Sequence, residues 1–360
     1  MWCGCDRSGA KKWRSMRLPI KVGIAGLGRS GWNIHAATLA SCPDYEIVAV
    51  ADMAAERRSE AAGRFGCATY ETPEELIAHS EVEVVVVATP SHTHAQLAVA
   101  ALASGKHVVV EKPLAQSTAE VDSMIAAADQ AERTLTCFHN RRLDPELLAI
   151  QDVIASGKIG DLVFIRRCIS RFVRRSDWQT LRSMGGGVLS NTASHLLDQV
   201  LLLMGEGQVE LFADLRQVAS AGDAEDHVQL LLKMADGPTA EVFASFAFEA
   251  RQPQWLISGT SGSISSADNV LTVRWFDPSS LADLEVERGM APDRRYGTGE
   301  QIDWHEERIE LQAPDNDRTQ RYYELLAASV REDGELLVTP QSVRRQIHLI
   351  EEARCQAGFP

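Results

Sequence analysis

The run Ile20-Lys21-Val22-Gly23-Ile24-Ala25 leads without a break into Gly26-Leu27-Gly28-Arg29-Ser30-Gly31, and a helical pattern follows over residues 32–40. In a G-x-G-x-x-G placed between a strand and a helix, the first glycine permits the tight turn. The second lets the backbone approach a pyrophosphate, and the third lets helix and strand pack closely. The helix N-terminus then offers unpaired N–H groups and a partial positive charge to phosphate oxygens. Alone, the hexapeptide also matches any glycine-rich turn. Its context is more specific: Asp52 ends the second β-rich run 21 residues beyond Gly31. A carboxylate there accepts hydrogen bonds from the adenosine ribose hydroxyls and repels a 2′-phosphate, so the spacing predicts NAD. Arg57 and Arg58 can reach back toward a 2′-phosphate and keep NADP as the alternative.

The same alternation continues to about residue 140. Strand-like runs at 20–25, 47–51, 84–88, 108–111 and 135–138 are separated by helical stretches at 54–64, 73–78, 95–103 and 119–131. Such alternation calls for crossover helices and a parallel sheet. Val84-Val85-Val86-Val87 is apolar throughout, as in a strand covered on both faces. After a helix at 145–155 the pattern changes: strand-like runs at 162–168, 209–218, 227–234, 239–248, 254–259 and 270–276 are interrupted by one helix, at 189–203. Successive strands with few crossovers imply an antiparallel sheet with helices on one face. The fold class is thus an α/β Rossmann domain, a doubly wound parallel sheet, followed by an α+β domain with a large, mostly antiparallel, open-faced sheet. Residues 277–301 read as a polar loop, and helices at 319–331 and 342–356 finish the chain. The domain boundaries fall at 1–18 for a basic extension, 19–140 for the dinucleotide-binding domain and 141–360 for the second domain.

Composition narrows the function. At 360 residues the chain is long enough for two cores. The balance of 36 Lys+Arg against 50 Asp+Glu gives −14, which argues against nucleic acid or an anionic membrane as partner. The first 21 residues run against this acidity, carrying six cations (Arg7, Lys11, Lys12, Arg14, Arg17 and Lys21) against Asp6. They lack the apolar core of a secretory signal and read as a flexible extension, with Met16 as an alternative start. No stretch approaches 18 apolar residues, so no membrane span is predicted. Seven scattered cysteines suit a reducing, cytoplasmic setting, and Cys3 and Cys5 lack the second pair that a metal site needs. No metal is predicted.

Two further features belong to the chemistry. Thr89-Pro90 and Glu111-Lys112-Pro113 close consecutive strands at the sheet end where α/β folds bind ligands. A lysine there can hydrogen-bond a substrate hydroxyl, or it can be a surface lysine beside a turn-forming proline. Much later, Gly185-Gly186-Gly187 precedes a helix that sets Asn191 and His195 at i and i+4 on one face. Histidine suits general-base work on a carbinol proton.

The chain from about Lys21 to its last helix resembles the Gfo/Idh/MocA family of glucose-fructose oxidoreductase and inositol dehydrogenase. The resemblance is carried by the Gly26–Gly31 loop, by Ala88-Thr89-Pro90-Ser91-His92-Thr93-His94 and by the 105–113 segment ending in Glu111-Lys112-Pro113. His139-Asn140-Arg141-Arg142, Gly157-Lys158-Ile159-Gly160 and residues 185–198 complete it. It implies cofactor contacts from Gly26, Leu27, Gly28, Arg29, Ser30, Gly31, Asp52, Thr89, Pro90, His94, Glu111 and Lys112. It implies catalytic roles for Lys112, His195 and Asn191, a sugar, cyclitol or sugar-acid substrate, and a homo-oligomer, dimer or tetramer, built through the second sheet. Many members carry Asp where this chain has Asn191. A neutral amide can orient the histidine or bind a hydroxyl but supplies no charge, so His195 is expected to be less basic than in relatives with Asp. Asp198 either supplies part of that charge or anchors the helix. Arg166, Arg171, Arg174, Arg175 and Trp178 either greet a substrate carboxylate or pair within the chain. A redox-neutral enzyme of the same fold and a non-catalytic sugar or NAD sensor are the rival functions.

Overall fold

The computed structural model describes residues 18–359 apart from 285, 287–288, 290–299, 312–316 and 333. The basic extension up to residue 17, with Cys3 and Cys5, and most of the 277–301 loop beyond residue 284 lie outside the described residues. The chain divides into two compact units: residues 1–143, 183–185 and 314–352, and residues 144–182, 186–313 and 353–360.

In the first unit, β1 (Ile20–Ala25), β2 (Tyr45–Ala51), β3 (Ala68–Tyr70), β4 (Val84–Val87), β5 (His107–Val110) and β6 (Leu135–Cys137) form one parallel sheet in the order β3-β2-β1-β4-β5-β6. The helices are α1 (π-helical Gly31–Ala36 continuing as Ala37–Leu39), α2 (Ala55–Phe65), α3 (Pro73–Ile77), α4 (His94–Ala103) and α5 (Thr118–Ala131). Local chemistry fixes their starts. Thr72 with Glu75 and Ser117 with Glu120 form reciprocal capping boxes, and Pro73 occupies the first turn of α3. The order reverses at β1 and β4, so the loops after those strands part and leave a crevice for a ligand. β3 escapes sequence reading because three partly exposed residues carry no periodic signal.

The second unit contains α6 (Pro145–Ala155), β7 (Leu162–Ser170), α7 (π-helical Leu189–Ala193 continuing as Ser194–Met204), β8 (Val209–Arg216), β9 (His227–Met234), β10 (Thr239–Ser245), β11 (Trp255–Gly259), β12 (Gly262–Ala267), β13 (Val270–Trp275) and β14 (His305–Glu310). Its eight-stranded sheet runs β14-β13-β12-β11-β7-β10-β9-β8 and is antiparallel except where β7 meets β10. β8 shows the alternation that leaves one face open: Leu211, Ala213 and Leu215 are buried, while Glu210, Phe212 and Arg216 are exposed. Two strands are missing from the sequence reading. β12 is rich in Ser and Gly and forms through pairing on both sides, while β14, His-Glu-Glu-Arg-Ile-Glu, is a charged edge that looks like loop.

The domain boundary at the tail requires correction. The sequence assigns the two terminal helices to the second domain, yet α8 (Asp317–Val330) and α9 (Pro340–Gln356) up to Glu352 belong to the first unit. Buried aromatic surface explains it: Tyr322 packs edge-on against Phe138 and Tyr323 edge-on against Tyr45, Tyr45 donates to the Tyr323 carbonyl, and Thr136 on β6 donates to the Val338 carbonyl.

Candidate active site

The glycine loop is built for close approach. Gly26 has φ +91°, and a Cβ there would lie 2.7 Å from the Ala88 carbonyl oxygen. A Cβ at Gly31 would collide with the Gly26 carbonyl, whereas one at Gly28 would meet nothing within 4 Å. The protein's own packing therefore demands glycine at Gly26 and Gly31. At Gly28 the missing side chain clears space above the backbone, as an approaching pyrophosphate requires. Among the described residues no side chain caps the start of α1, so the amides of Gly28, Arg29 and Ser30 suit phosphate oxygens and the residues present fit a nicotinamide dinucleotide.

Leu27 has a partner within the chain. It is buried, and its N–H donates to Asp52 Oδ2 at 2.8 Å. This bond anchors Asp52 to the glycine loop. The Asp52 carboxylate also accepts from the Ala54 N–H at 2.9 Å and from Arg57 at 3.3 Å. Arg58 donates to the backbone carbonyls of Asp52 and Met53. The carboxylate is thus fixed just beyond β2 with an arginine at its side.

At the end of β4, the Thr89 and Thr93 hydroxyls are 2.7 Å apart, Thr93 donates to the Pro90 carbonyl, and Pro90 itself is exposed. His94 and Glu111, expected at the cofactor, are both buried and occupied. The His94 ring lies with Nδ1 2.8 Å from the Pro113 carbonyl oxygen and Nε2 3.0 Å from that of Thr89. Glu111 faces His35 Nε2 at 3.2 Å and accepts the Lys112 backbone N–H at 3.0 Å. Burial opposes charge on Glu111, but these contacts and the adjacent lysine prevail and hold its pKa down at about 2. Lys112 is partly buried, and burial pulls its pKa below the ordinary lysine range. Glu111 works against that shift, while Arg141 and Arg29 add to it.

In the second unit, a Cβ at Gly186 would collide with the Gln179 carbonyl, and one at Gly187 (φ +108°) with the Glu225 carboxylate. Glu225 is buried; its carbonyl accepts the Val188 N–H at 2.9 Å and its carboxylate the Leu189 N–H at 2.9 Å. It thereby closes the start of α7, and burial pushes its pKa up. Asn191 and His195 are partly exposed, whereas Ala193, Ser194, Leu196 and Leu197 are buried. The pair therefore lies on the less buried side of α7. Asp198 is only 3% exposed. Asn191 also lines a narrow recess with Arg175, Gln179 and Glu225. The candidate substrate arginines have partners within the chain: Arg166 pairs with Glu241, Arg175 with Asp177, Arg171 lies over Phe246, and Arg174 donates to the Ala219 carbonyl.

The first unit thus gathers the glycine loop, Asp52, Thr89, Pro90 and Lys112 at the carboxyl ends of β1, β2, β4 and β5. The second carries Asn191 and His195 on one helix. Sequence reasoning missed His35, Tyr323 and Glu225. A histidine four residues after Gly31, and a Glu-Asp pair directly before a strand, were the available signals.

A six-stranded parallel sheet with this loop at its switch point defines a dinucleotide-binding enzyme of the Rossmann class. Residues 20–139 match the family described as "Oxidoreductase family, NAD-binding Rossmann fold", and residues 147–265 match the GFO/IDH/MocA C-terminal domain. The chain belongs to the GFO/IDH/MocA family and is an NAD-binding oxidoreductase. It is 28% identical over 344 residues to scyllo-inositol 2-dehydrogenase (NADP(+)) of Bacillus subtilis, covering 93% of this chain and 92% of that protein. It is 32% identical over 218 residues to myo-inositol 2-dehydrogenase of Thermotoga maritima, covering 59% of this chain and 64% of that one. The crystal structure of an NAD-binding protein from Listeria innocua has the same fold, with a TM-score of 0.76 at 24% identity over 95% of each chain.

Proposed function

We propose that the enzyme transfers hydride between a carbinol of a cyclitol, sugar or sugar acid and NAD, with His195 as general acid/base and Lys112 and Asn191 positioning the hydroxyl. The observation that carries this reading is the set of strand ends in the first unit, where the glycine loop, Asp52 and Lys112 converge in a chain that matches both family models. The likeness to two inositol dehydrogenases supports a polyol substrate. When bound, the nicotinamide supplies the hydride acceptor. The chain's own work is placement and proton transfer.

Lys112 donates to the carbinol oxygen and keeps it from turning away. Its lowered pKa lets it shed a proton more readily than an exposed lysine. His195 takes the hydroxyl proton as the carbon is oxidised and returns it in reduction. Asn191, one turn earlier, orients the ring or the hydroxyl without adding charge. Asp52 selects NAD through the ribose hydroxyls, and Arg57 beside it is the observation favouring some use of NADP.

The open face of the second sheet is the proposed self-association surface in a cytoplasmic homo-oligomer. Phe212 and Leu231 stand opposite each other on it, 59% and 43% exposed. A spectrophotometric screen of inositols, aldoses, polyols and sugar acids with NAD⁺ tests the reaction. Reduced nicotinamide should accumulate with at least one class, and none with any of them would reject the reading.

A further inference from the structure

Lys112 is held by its neighbours in sequence, and each of those neighbours is held by a buried histidine. On one side, the Glu111 carboxylate accepts the Lys112 backbone N–H through one oxygen at 3.0 Å and faces His35 Nε2 through the other at 3.2 Å. The remaining nitrogen of His35 lies 2.6 Å from the Tyr323 hydroxyl. A neutral ring satisfies this chain completely: the Tyr323 O–H donates to Nδ1, and the Nε2–H donates to the carboxylate. His35 and Tyr323 are fully buried and Phe138 packs edge-on against the imidazole at 4.5 Å, so the ring cannot turn without disturbing the core. On the other side, the buried His94 ring lies between the carbonyls of Pro113 and Thr89; a neutral ring carries one N–H, and with the proton on Nδ1 it donates to the Pro113 carbonyl and holds the segment after Lys112.

We propose that His35 and His94 are the positioning residues of Lys112, the first through the Glu111 carboxylate and the second through the Pro113 carbonyl. The inference rests on the reading of Lys112 as the group that orients the carbinol. A lysine side chain has four rotatable bonds, and its ammonium can be placed only as well as the backbone that bears it. Three elements from distant parts of the sequence, α1, α4 and α8, converge to fix that backbone. His35 also lies on the helix that the dinucleotide loop opens, so one rigid element serves both the cofactor and the lysine.

Two kinds of variant separate this role from simple core filling. His35→Leu and His94→Leu occupy comparable space without donating a hydrogen bond, whereas His35→Gln and His94→Gln keep a donor. Backbone hydrogen exchange of the full chain, read by mass spectrometry on peptides spanning residues 107–117, requires neither substrate nor cofactor. The Leu variants should exchange the Lys112 amide about tenfold or more faster than the parent, and the Gln variants should fall between. Turnover with NAD⁺ and myo-inositol should drop at least about tenfold in kcat for the Leu variants, with NAD⁺ affinity within about threefold and partial recovery in the Gln variants. Unchanged exchange at Lys112, or Leu and Gln variants impaired equally, would overturn the proposal. A parent enzyme inactive on every polyol, with exchange still accelerated in the Leu variants, would remove the proposed reaction and leave the clasp standing.

Discussion

The two units each begin a key helix with a glycine segment and a π-helical turn, yet they treat the start of that helix in opposite ways. At α1 the Ser30 side chain makes no capping hydrogen bond, and of the loop amides the Asp52 carboxylate engages that of Leu27, before the helix. At α7 the buried Glu225 carboxylate occupies the Leu189 N–H, and Gly187 is needed so that it can come so close. An uncapped helix start attracts an external anion, while one closed by a carboxylate repels it. On the proposed reading the first start binds phosphate, and the second holds in place the helix that carries Asn191 and His195. A glycine-rich helix start is by itself no evidence for nucleotide binding; what caps it decides.

The largest effect should come from the presented side chain itself. His195→Ala should lower kcat by roughly 10²- to 10⁴-fold with NAD⁺ affinity intact, measured by steady-state kinetics and a binding titration. Next comes the uncapped start of α1: Gly31→Ala drives a Cβ into the Gly26 carbonyl and should weaken NAD⁺ binding at least about tenfold by calorimetry, with the second unit still folded. If Gly187→Ala weakened NAD⁺ binding as strongly, the contrast between α1 and α7 would fail.

Acid stability offers a third handle. The Glu111 pKa is depressed from 4.5 to about 2, so its contribution is complete above 4.5 and is lost as pH falls toward about 2. Glu111→Gln should therefore be less stable at neutral pH and lack this acid-dependent loss in urea unfolding. Burial also lowers the His94 pKa below 6.5, against Glu111 and the two carbonyls, which raise it, and with His92, which lowers it further. The stability linked to His94 is therefore present above 6.5 and declines as pH drops below it, and His94→Gln should flatten that part of the profile. The smallest change should follow Asp52→Ala, which should narrow the NAD over NADP preference by about tenfold in kcat/KM.

Much of the first unit was legible because its signals are local. The glycine loop and the four valines of β4 each act over a few residues. The terminal helices were misassigned because what places them is the burial of Tyr322 against Phe138 and of Tyr323 against Tyr45, contacts between residues far apart in the sequence. The candidate site shows the same division. Gly26, Gly31, Asp52 and Lys112 are set by their position at strand ends, which the alternation of elements predicts. His94 and Glu111 are buried against partners, Thr89, Pro113 and His35, that only folding supplies. The role of Glu225 was missed for the same reason: 36 residues separate it from the amide it caps.

The most direct test of the proposed chemistry is to follow the transferred atom. With inositol deuterated at its carbinol carbons and NAD⁺, mass spectrometry of the nicotinamide should show one deuterium gained per turnover, with formation slowed by at least about 100-fold in His195→Ala. Turnover of the polyol without deuterium in the reduced cofactor, or an undiminished rate in His195→Ala, would contradict it.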